Sequence, residues 1–527
     1  MYSYLVKNKV LFFAEVIMAI GHALFDAALA VSMGQMTNAA VDGELKVLLY
    51  SSMQSVGCLI VIYFFSVFEM RFRKKLTGKC LCAIKEDIYK AISKKGVASM
   101  HEKADSFYIN LLQGDMELLE RDCFDSLLRG INLTIQTVFC VIALNFISVK
   151  LVIIFTLLCV FPQLASRFFR KALTKRKDAF SLQNSRCVQA EKEYIGGFDT
   201  IAYYSKWEAF ISRLMIEDKA LEDCRRKRDV CQVKVSYGVT TINMIAQMLC
   251  MAAAAYFVAI GELKFGALTA STQLLNFIFS PLNTVINCVL SMLSTRGVRD
   301  KVAQIVDFSS GNGKERFSLG DISFSNVTVG YGDKAVLCDF SYIFTKGGKY
   351  AIIGSSGVGK STIVKALMRT ARVNKGSITI GNTNIKDIAL SELYKNILYV
   401  PQKPYLFEGT VLENISFYGD EGAARNAARA AALPDELLIQ QAGGDYGNKI
   451  SGGEMSRISV ARAFCSNASV IIFDEPTSGL DPETAEEIEK RILDIKDKTI
   501  IVITHNWNQT YLDMFDKVIN VTNGEPA

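Results

Sequence analysis

The sequence predicts two parts in series: an all-α membrane domain of six helices with helical extensions into the cytosol, then a C-terminal α/β domain built around a phosphate-binding loop. Three observations carry this. Six predominantly apolar stretches crowd the first 300 residues. A glycine-rich loop, residues 354–362, lies between an apolar strand and a helix. Beyond residue 316 the long apolar runs stop, and short β-rich segments alternate with helical ones.

Composition agrees. Of 527 residues, 50% are apolar while 21% are charged, close to the ordinary share of about 25%. The apolar excess must therefore be concentrated in part of the chain, which excludes a wholly soluble, disordered or fibrous protein. Only 8 Pro and 36 Gly argue against long low-complexity linkers. The 13 Cys are scattered without the spacing of a disulfide framework or zinc site, so they read as reduced, buried small side chains. Cys80 and Cys82 form one close pair, a weak metal signal.

The spans are expected at 10–31, 47–68, 131–147, 151–168, 239–260 and 265–293, most of them near the ~20 residues that cross ~30 Å of hydrocarbon. The third and fourth share the turn Ser148-Val149-Lys150. A cleaved signal peptide is set aside because the first apolar run exceeds the usual h-region of about 7–15 residues. Domain limits follow: 1–308 for the membrane domain, a polar linker at 309–316 and 317–527 for the α/β domain.

Basic residues set the orientation. Lys7 and Lys9 precede the first span, Arg71, Arg73, Lys74 and Lys75 follow the second, Arg170, Lys171, Lys175, Arg176 and Lys177 follow the fourth, and Arg225, Arg226, Lys227 and Arg228 precede the fifth. The opposite loops hold only Lys46, Lys150 and Lys264. By the positive-inside rule both termini and the α/β domain are cytoplasmic, as in a multi-pass protein of a bacterial inner (plasma) membrane. The net charge of +6 is thus a topology signal, and no nucleic-acid partner is expected. Segments 85–128 and 170–235 hold few Pro or Gly, so the helices are expected to continue into the cytosol.

Polar residues recur on one face of the first span (Glu15, His22, Asp26) and of the sixth (Asn276, Asn283, Asn287, flanked by Gln273). Two readings stand: stripes lining a substrate path, or interhelical hydrogen bonds in a packed bundle.

In the α/β domain, the segment 349–353 runs into Gly354-Ser355-Ser356-Gly357-Val358-Gly359-Lys360-Ser361-Thr362. This is GxxxxGK[ST] between strand and helix. Its backbone N–H groups suit phosphate oxygens, Lys360 suits the β- and γ-phosphates of ATP, and the Ser361 hydroxyl suits Mg²⁺. A second apolar strand, 470–473, ends in Asp474 and Glu475; Asp474 suits Mg²⁺ coordination and Glu475 the role of general base toward water.

Between them lie Ile450-Ser451-Gly452-Gly453-Glu454 and a helical run. Here the chain resembles the ABC transporter superfamily, specifically exporter-type half-transporters with a membrane domain fused ahead of a nucleotide-binding domain. Ser451, Gly452, Gly453 and Glu454 resemble the LSGGQ signature, with Ile for Leu and Glu for Gln. The resemblance implies that they contact ATP held by a second half-transporter, in a homodimer or heterodimer. It further implies that Tyr331 stacks on adenine, that Gln402 senses Mg²⁺ and water, that Asp481 belongs to a dimer-contact loop and that His505 is the switch histidine at the γ-phosphate. Residues 107–115 and 196–200 resemble the two cytoplasmic coupling turns. The segment 443–449 is shorter than usual for the family and lacks its Val-Gly-Glu element.

The resemblance implies an ATP hydrolase coupled to transport, most simply an exporter of an amphipathic small molecule, drug or peptide working by alternating access. An importer with exporter architecture and an ATP-gated regulator or channel are the alternatives. ATP, Mg²⁺, membrane lipid and a cargo are the expected partners. No protease-like domain precedes the first span, so processing of a leader peptide is not expected.

Overall fold

The structure is a computed structural model that describes residues 2–307, 313, 315–331, 334–355, 357–443, 450–522 and 525–526. It contains two compact units, Met1–Glu86 with Asn110–Ala303, and Asp87–Ile109 with Gln304–Ala527.

The chain opens with α1 (Tyr2–Lys7) and α2 (Lys9–Asp42). α2 stops at Gly43, whose left-handed φ of 73° ends the helix without a Cβ penalty while its N–H caps Ala39. α3 (Leu45–Ser93) follows, then α4 (Val97–His101) and α5 (Asp105–Asn110). The return leg passes through two π-helical stretches, Leu111–Asp115 and Leu119–Asp125, on either side of α6 (Met116–Leu118), and enters α7 (Ser126–Ile147). Ser148 caps α8 (Val149–Gly196) with its side chain. α9 (Phe198–Tyr203) turns the chain into α10 (Trp207–Ala259), and α11 (Phe265–Ser294) and α12 (Arg296–Val306) complete the helical series.

Among the described residues five helical runs are long and apolar enough to cross a membrane: Lys9–Asp42, Leu45–Ser93, Asp105–Ile147, Trp207–Ala259 and Phe265–Ser294. The fourth expected span lies on α8, where Val149–Leu158 is apolar and the side chains of 159–171 lie outside the described residues. One apolar core joins α2, α7, α8, α10 and α11 through Ala30, Leu144, Phe155, Cys250, Leu274 and Phe279. α3 turns Met53, Leu59, Ile60 and Phe64 outward, as a lipid-facing helix does.

α2 and α11 approach to backbone contact. A Cβ on Gly266 would stand 2.0 Å from the Gly34 carbonyl oxygen, the Gly266 N–H donates to Asn38 Oδ1 at 2.6 Å, and Thr37 and Thr269 hydroxyls meet at 3.0 Å. Small residues permit this and polar side chains secure it.

The two turns expected to act as coupling elements differ. Residues 196–200 do sit at the α8–α10 tip, where the Trp207 ring meets Phe198 edge-on at 5.2 Å. Residues 107–115 lie instead on the return leg, in α5 and the first π-helical stretch, and the turn proper is 94–104, around α4. α3 ends at Ser93, and Gly96, in an extended conformation, stands at the N-cap of α4.

In the second unit, β1 (Ile322–Tyr331) and β2 (Lys334–Phe344) pair antiparallel. β3 (Lys349–Ile353) leads into α13 (Lys360–Leu367); β4 (Val373–Ile380) and β5 (Thr383–Asn384) complete an antiparallel sheet of order β2-β1-β4-β5. Then come α14 (Leu390–Asn396), β6 (Ile397–Val400), β7 (Gly409–Thr410), α15 (Val411–Ser416), α16 (Glu421–Ala430), α17 (Asp435–Leu438), β8 (Gln441–Ala442) and α18 (Gly452–Cys465). β9 (Val470–Asp474), α19 (Pro482–Leu493), β10 (Thr499–Ile503), α20 (Gln509–Leu512), β11 (Lys517–Thr522) and β12 (Glu525–Pro526) follow. The main sheet has order β12-β11-β3-β10-β9-β6, parallel from β11 to β6. β9 and β10 are buried along their whole length, the continuous apolar pattern of parallel strands covered on both faces. Within this unit Gly96 rests against Leu390 of α14. The expected linker 309–316 lies largely outside the described residues, as does 444–449 of the shortened segment.

Candidate active site

The carboxyl ends of β3, β9 and β10 lie side by side, and the residues that follow each strand meet there, the usual ligand-binding edge of an open parallel sheet. After β3, Gly354, Gly357 and Gly359 all take left-handed φ values (148°, 80° and 107°). A Cβ at Gly354 would strike the Val521 carbonyl oxygen at 2.6 Å, so the loop needs glycine for both conformation and space. Gly359 stands at the N-terminus of α13, which begins with Lys360, Ser361 and Thr362. The Lys360 ammonium is buried and donates to the carbonyls of Gly354 at 2.7 Å and Ser355 at 2.9 Å. Burial lowers its pKa, and the charges of Glu475 and Asp474 oppose that shift. Gly354, Ser355, Gly357, Val358 and Gly359 thus form one loop over Lys360; Ser356 lies outside the described residues.

Asp474 ends β9 and is buried. It accepts a hydrogen bond from the Tyr399 hydroxyl at 2.8 Å. Burial, and after it the hydrogen bond to Asp474, pushes the Tyr399 pKa well up, so this hydroxyl stays a donor. Glu475 takes φ +50°, a costly conformation for a residue with a side chain, and is held by its N–H on the Ile503 carbonyl at 3.0 Å. Its two carboxylate oxygens are both engaged: Oε2 accepts from Gln402 Nε2 at 2.6 Å, and Oε1 lies 3.1 Å from His505 Nε2. Three residues named from separate motifs therefore meet on one carboxylate.

The signature residues form a second cluster. Ser451 caps α18, its hydroxyl accepting from the Glu454 N–H at 3.2 Å while the Glu454 carboxylate accepts from the Ser451 N–H at 2.8 Å and hydroxyl at 2.7 Å. This capping box leaves Gly452 and Gly453 in the first turn, with Gly453 against Leu480 and Gly479. No hydrogen bond among the described residues joins it to the phosphate loop. Asp481 is the N-cap of α19, accepting from the Thr484 N–H at 2.9 Å, and this bond holds its carboxyl below the ordinary value. Tyr331 ends β1, and its side chain lies outside the described residues.

In the membrane unit the two polar stripes part company. Asn132 Nδ2 on α7 donates to Glu15 Oε1 and Glu69 Oε1, both at 2.7 Å. Arg73 Nε donates to Glu15 at 3.4 Å, and its Nη2 also binds Glu69. His22 lies 3.1 Å from Glu69 and 3.6 Å from Asp26, and Asp26 accepts from Gln136 at 2.6 Å. Glu15, His22 and Asp26 are thus tied into a network spanning α2, α3 and α7. On α11, Asn276 accepts from Gln247 at 3.2 Å, and Asn287 lines a cleft of about 740 Å³ between α8, α10 and α11 with Lys177, Gln232, Asn243 and Gln247. The Asn283 side chain lies outside the described residues.

A family model for the transmembrane region of ABC transporters matches residues 12–282, and one for the ABC transporter nucleotide domain matches 337–478. The chain belongs to the ABC transporter family. Its two family regions, fused in this order, are those of an exporter-type half-transporter. Among curated ABC transporters, the chain is 30% identical over 357 residues to the lactococcin-G-processing and transport ATP-binding protein LagD of Lactococcus lactis (64% of this chain, 50% of the relative). It is 31% identical over 372 residues to the mitochondrial iron–sulfur clusters transporter atm1 of Aspergillus fumigatus (67% and 51%). The chain spans about half the length of these two relatives. It is 25% identical over 484 residues to a probable ABC transporter ATP-binding/permease protein of Haemophilus influenzae (86% of each). A bacterial Atm1-family ABC exporter with ATP bound superposes with a TM-score of 0.82 at 20% identity, covering 97% of this chain and 94% of that one, which establishes the fold.

Proposed function

We propose that the chain is one half of a dimeric ATP-driven exporter, in which hydrolysis at Glu475 powers alternating access for an amphipathic small molecule, drug or peptide. The observation that carries this reading is the meeting of Gln402 and His505 on the Glu475 carboxylate beside Lys360.

The chemistry follows from these groups. The loop N–H groups and Lys360, released from its loop carbonyls, bind the phosphates of ATP, and Tyr331 offers an aromatic face to adenine. The donor set fits Mg²⁺: Asp474, Ser361 and Gln402 offer hard oxygen ligands, and the ion when bound neutralises phosphate charge. Glu475 takes a proton from water as the water oxygen attacks the γ-phosphorus and the bond to the β-phosphate oxygen breaks. His505 steadies the γ-phosphate oxygens and Gln402 orients the water.

The separateness of the signature cluster supports a dimer. Ser451, Gly452, Gly453 and Glu454, with the loop before Asp481, face ATP held by a second copy or a related half. In the membrane unit, Asn287 and the Gln247–Asn276 pair belong to the cargo path, while Glu15, His22 and Asp26 brace the bundle. The apolar outer face of α3 takes lipid, and the motor side is the cytoplasm of a bacterial inner membrane.

Flux in inside-out vesicles tests this reading. ATP-dependent uptake of cargo supports export. ATP-dependent loss would mean import, and no flux despite ATP binding would mean a gate. A Glu475→Gln chain serves as the inactive control.

A further inference from the structure

Four glutamates lie on α19, and one of them is buried. Glu483, Glu486 and Glu487 are exposed, whereas Glu489 is 7% exposed beside Ile488 and Ile492. Burying a carboxylate costs free energy unless hydrogen bonds compensate, so its partners matter. The Thr477 hydroxyl donates to Glu489 Oε1 at 2.9 Å, and the Asn506 side chain bonds the same carboxylate. Asn506 Oδ1 accepts from the Asn508 N–H at 3.0 Å, so the amide nitrogen faces Glu489. The Asn506 N–H in turn donates to the Thr504 hydroxyl at 3.0 Å.

The positions of these partners give the bonds their meaning. Thr477 is two residues beyond Glu475, and Asn506 is one beyond His505. The two catalytic segments leave different strands, β9 and β10, and Glu489 ties them together beside a cleft of about 720 Å³ whose lining includes Glu475, His505 and Glu489.

We propose that Glu489 is a positioning residue for ATP hydrolysis, fixing the Glu475 segment to the His505 segment through Thr477 and Asn506. Burial raises its pKa, and the two hydrogen bonds oppose that shift. The inference rests on the reading of Glu475 as general base.

The test uses the full chain in detergent or nanodiscs and measures ATP turnover, fluorescent-nucleotide affinity and thermal midpoint for Glu489→Ala, Glu489→Gln and Thr477→Val. Misplacing a catalytic group by about 1 Å can cost about 100-fold, so Glu489→Ala is expected to lower kcat by roughly 10- to 100-fold with KM and nucleotide affinity held. Glu489→Gln keeps an acceptor oxygen and restores most of the rate. Thr477→Val lowers kcat alone, and adding it to Glu489→Ala costs little more, because both remove the same link. Parent turnover in Glu489→Ala would overturn the proposal, as would a parallel fall of affinity, midpoint and rate that Glu489→Gln does not relieve. Should Glu489→Ala fail to fold, Thr477→Val decides: a loss in kcat alone supports the link and parent turnover overturns it. Glu475→Gln separates the two ideas, since parent turnover there sinks the general-base reading itself.

Discussion

The nucleotide site and the α2–α3–α7 network are both knots of carboxylates held by a few donors, but they are built to opposite ends. At the nucleotide site, Glu475 sits on a strained backbone at φ +50°, and its partners Gln402 and His505 are solvent-exposed side chains on loops. Such partners can exchange a carboxylate for a phosphate or a water. In the membrane unit, Glu15 is fully buried, and it shares Arg73 and Asn132 with Glu69, all on helices. Three carboxylates, Glu15, Asp26 and Glu69, rest there on one arginine and one histidine. One cluster is arranged to change partners and the other to keep them. Losses at the first should therefore appear as rate, and at the second as stability.

Four substitutions sharpen or break that contrast. The largest effect is expected from Glu475→Gln, which should lower ATP turnover by about 10²–10⁴-fold while nucleotide binding, followed by fluorescence, stays near the parent level. Arg73→Leu should destabilise the membrane unit by about 3–5 kcal/mol, because it strands two buried carboxylates; thermal unfolding in detergent reads this, and an unchanged midpoint would mean that the network holds nothing. Gly266→Ala forces a methyl group against the α2 backbone and should cost about 1–3 kcal/mol, again in the midpoint, with ATP affinity unaltered. Tyr399→Phe should have the smallest effect, about 0.5–1.5 kcal/mol for the loss of one hydrogen bond. It should appear as a raised Mg²⁺ requirement for turnover, measured by metal titration.

The same contrast explains what could be read from the residues in order. Phosphate-loop chemistry demands particular residues at fixed spacing beside a strand, so Lys360, Asp474 and Glu475 were visible as motifs. Gln402 and His505 followed from family resemblance, and only the folded sheet brings them onto one carboxylate. Tyr399 escaped notice because its role depends on β6 lying beside β9. Glu489 escaped because burial singles out one glutamate among four on the same helix. In the membrane unit the six apolar stretches were plain, yet Arg73 read as one of several cytosolic charges after the second span. Its i,i+4 spacing from Glu69 was the available signal. The partnership with Glu15 and Asn132, from helices far apart in sequence, carries no local trace. The turn after α3 lies at 94–104 and not at 107–115, because helix already resumes at Asp105.

The backbone contact between Gly34 and Gly266 constrains how the bundle can move. Side chains yield by changing rotamer, but two main chains in contact have nothing to rearrange, so α2 and α11 cannot slip along one another there. If the bundle moves in the proposed transport cycle, α2 and α11 would have to move there as a pair.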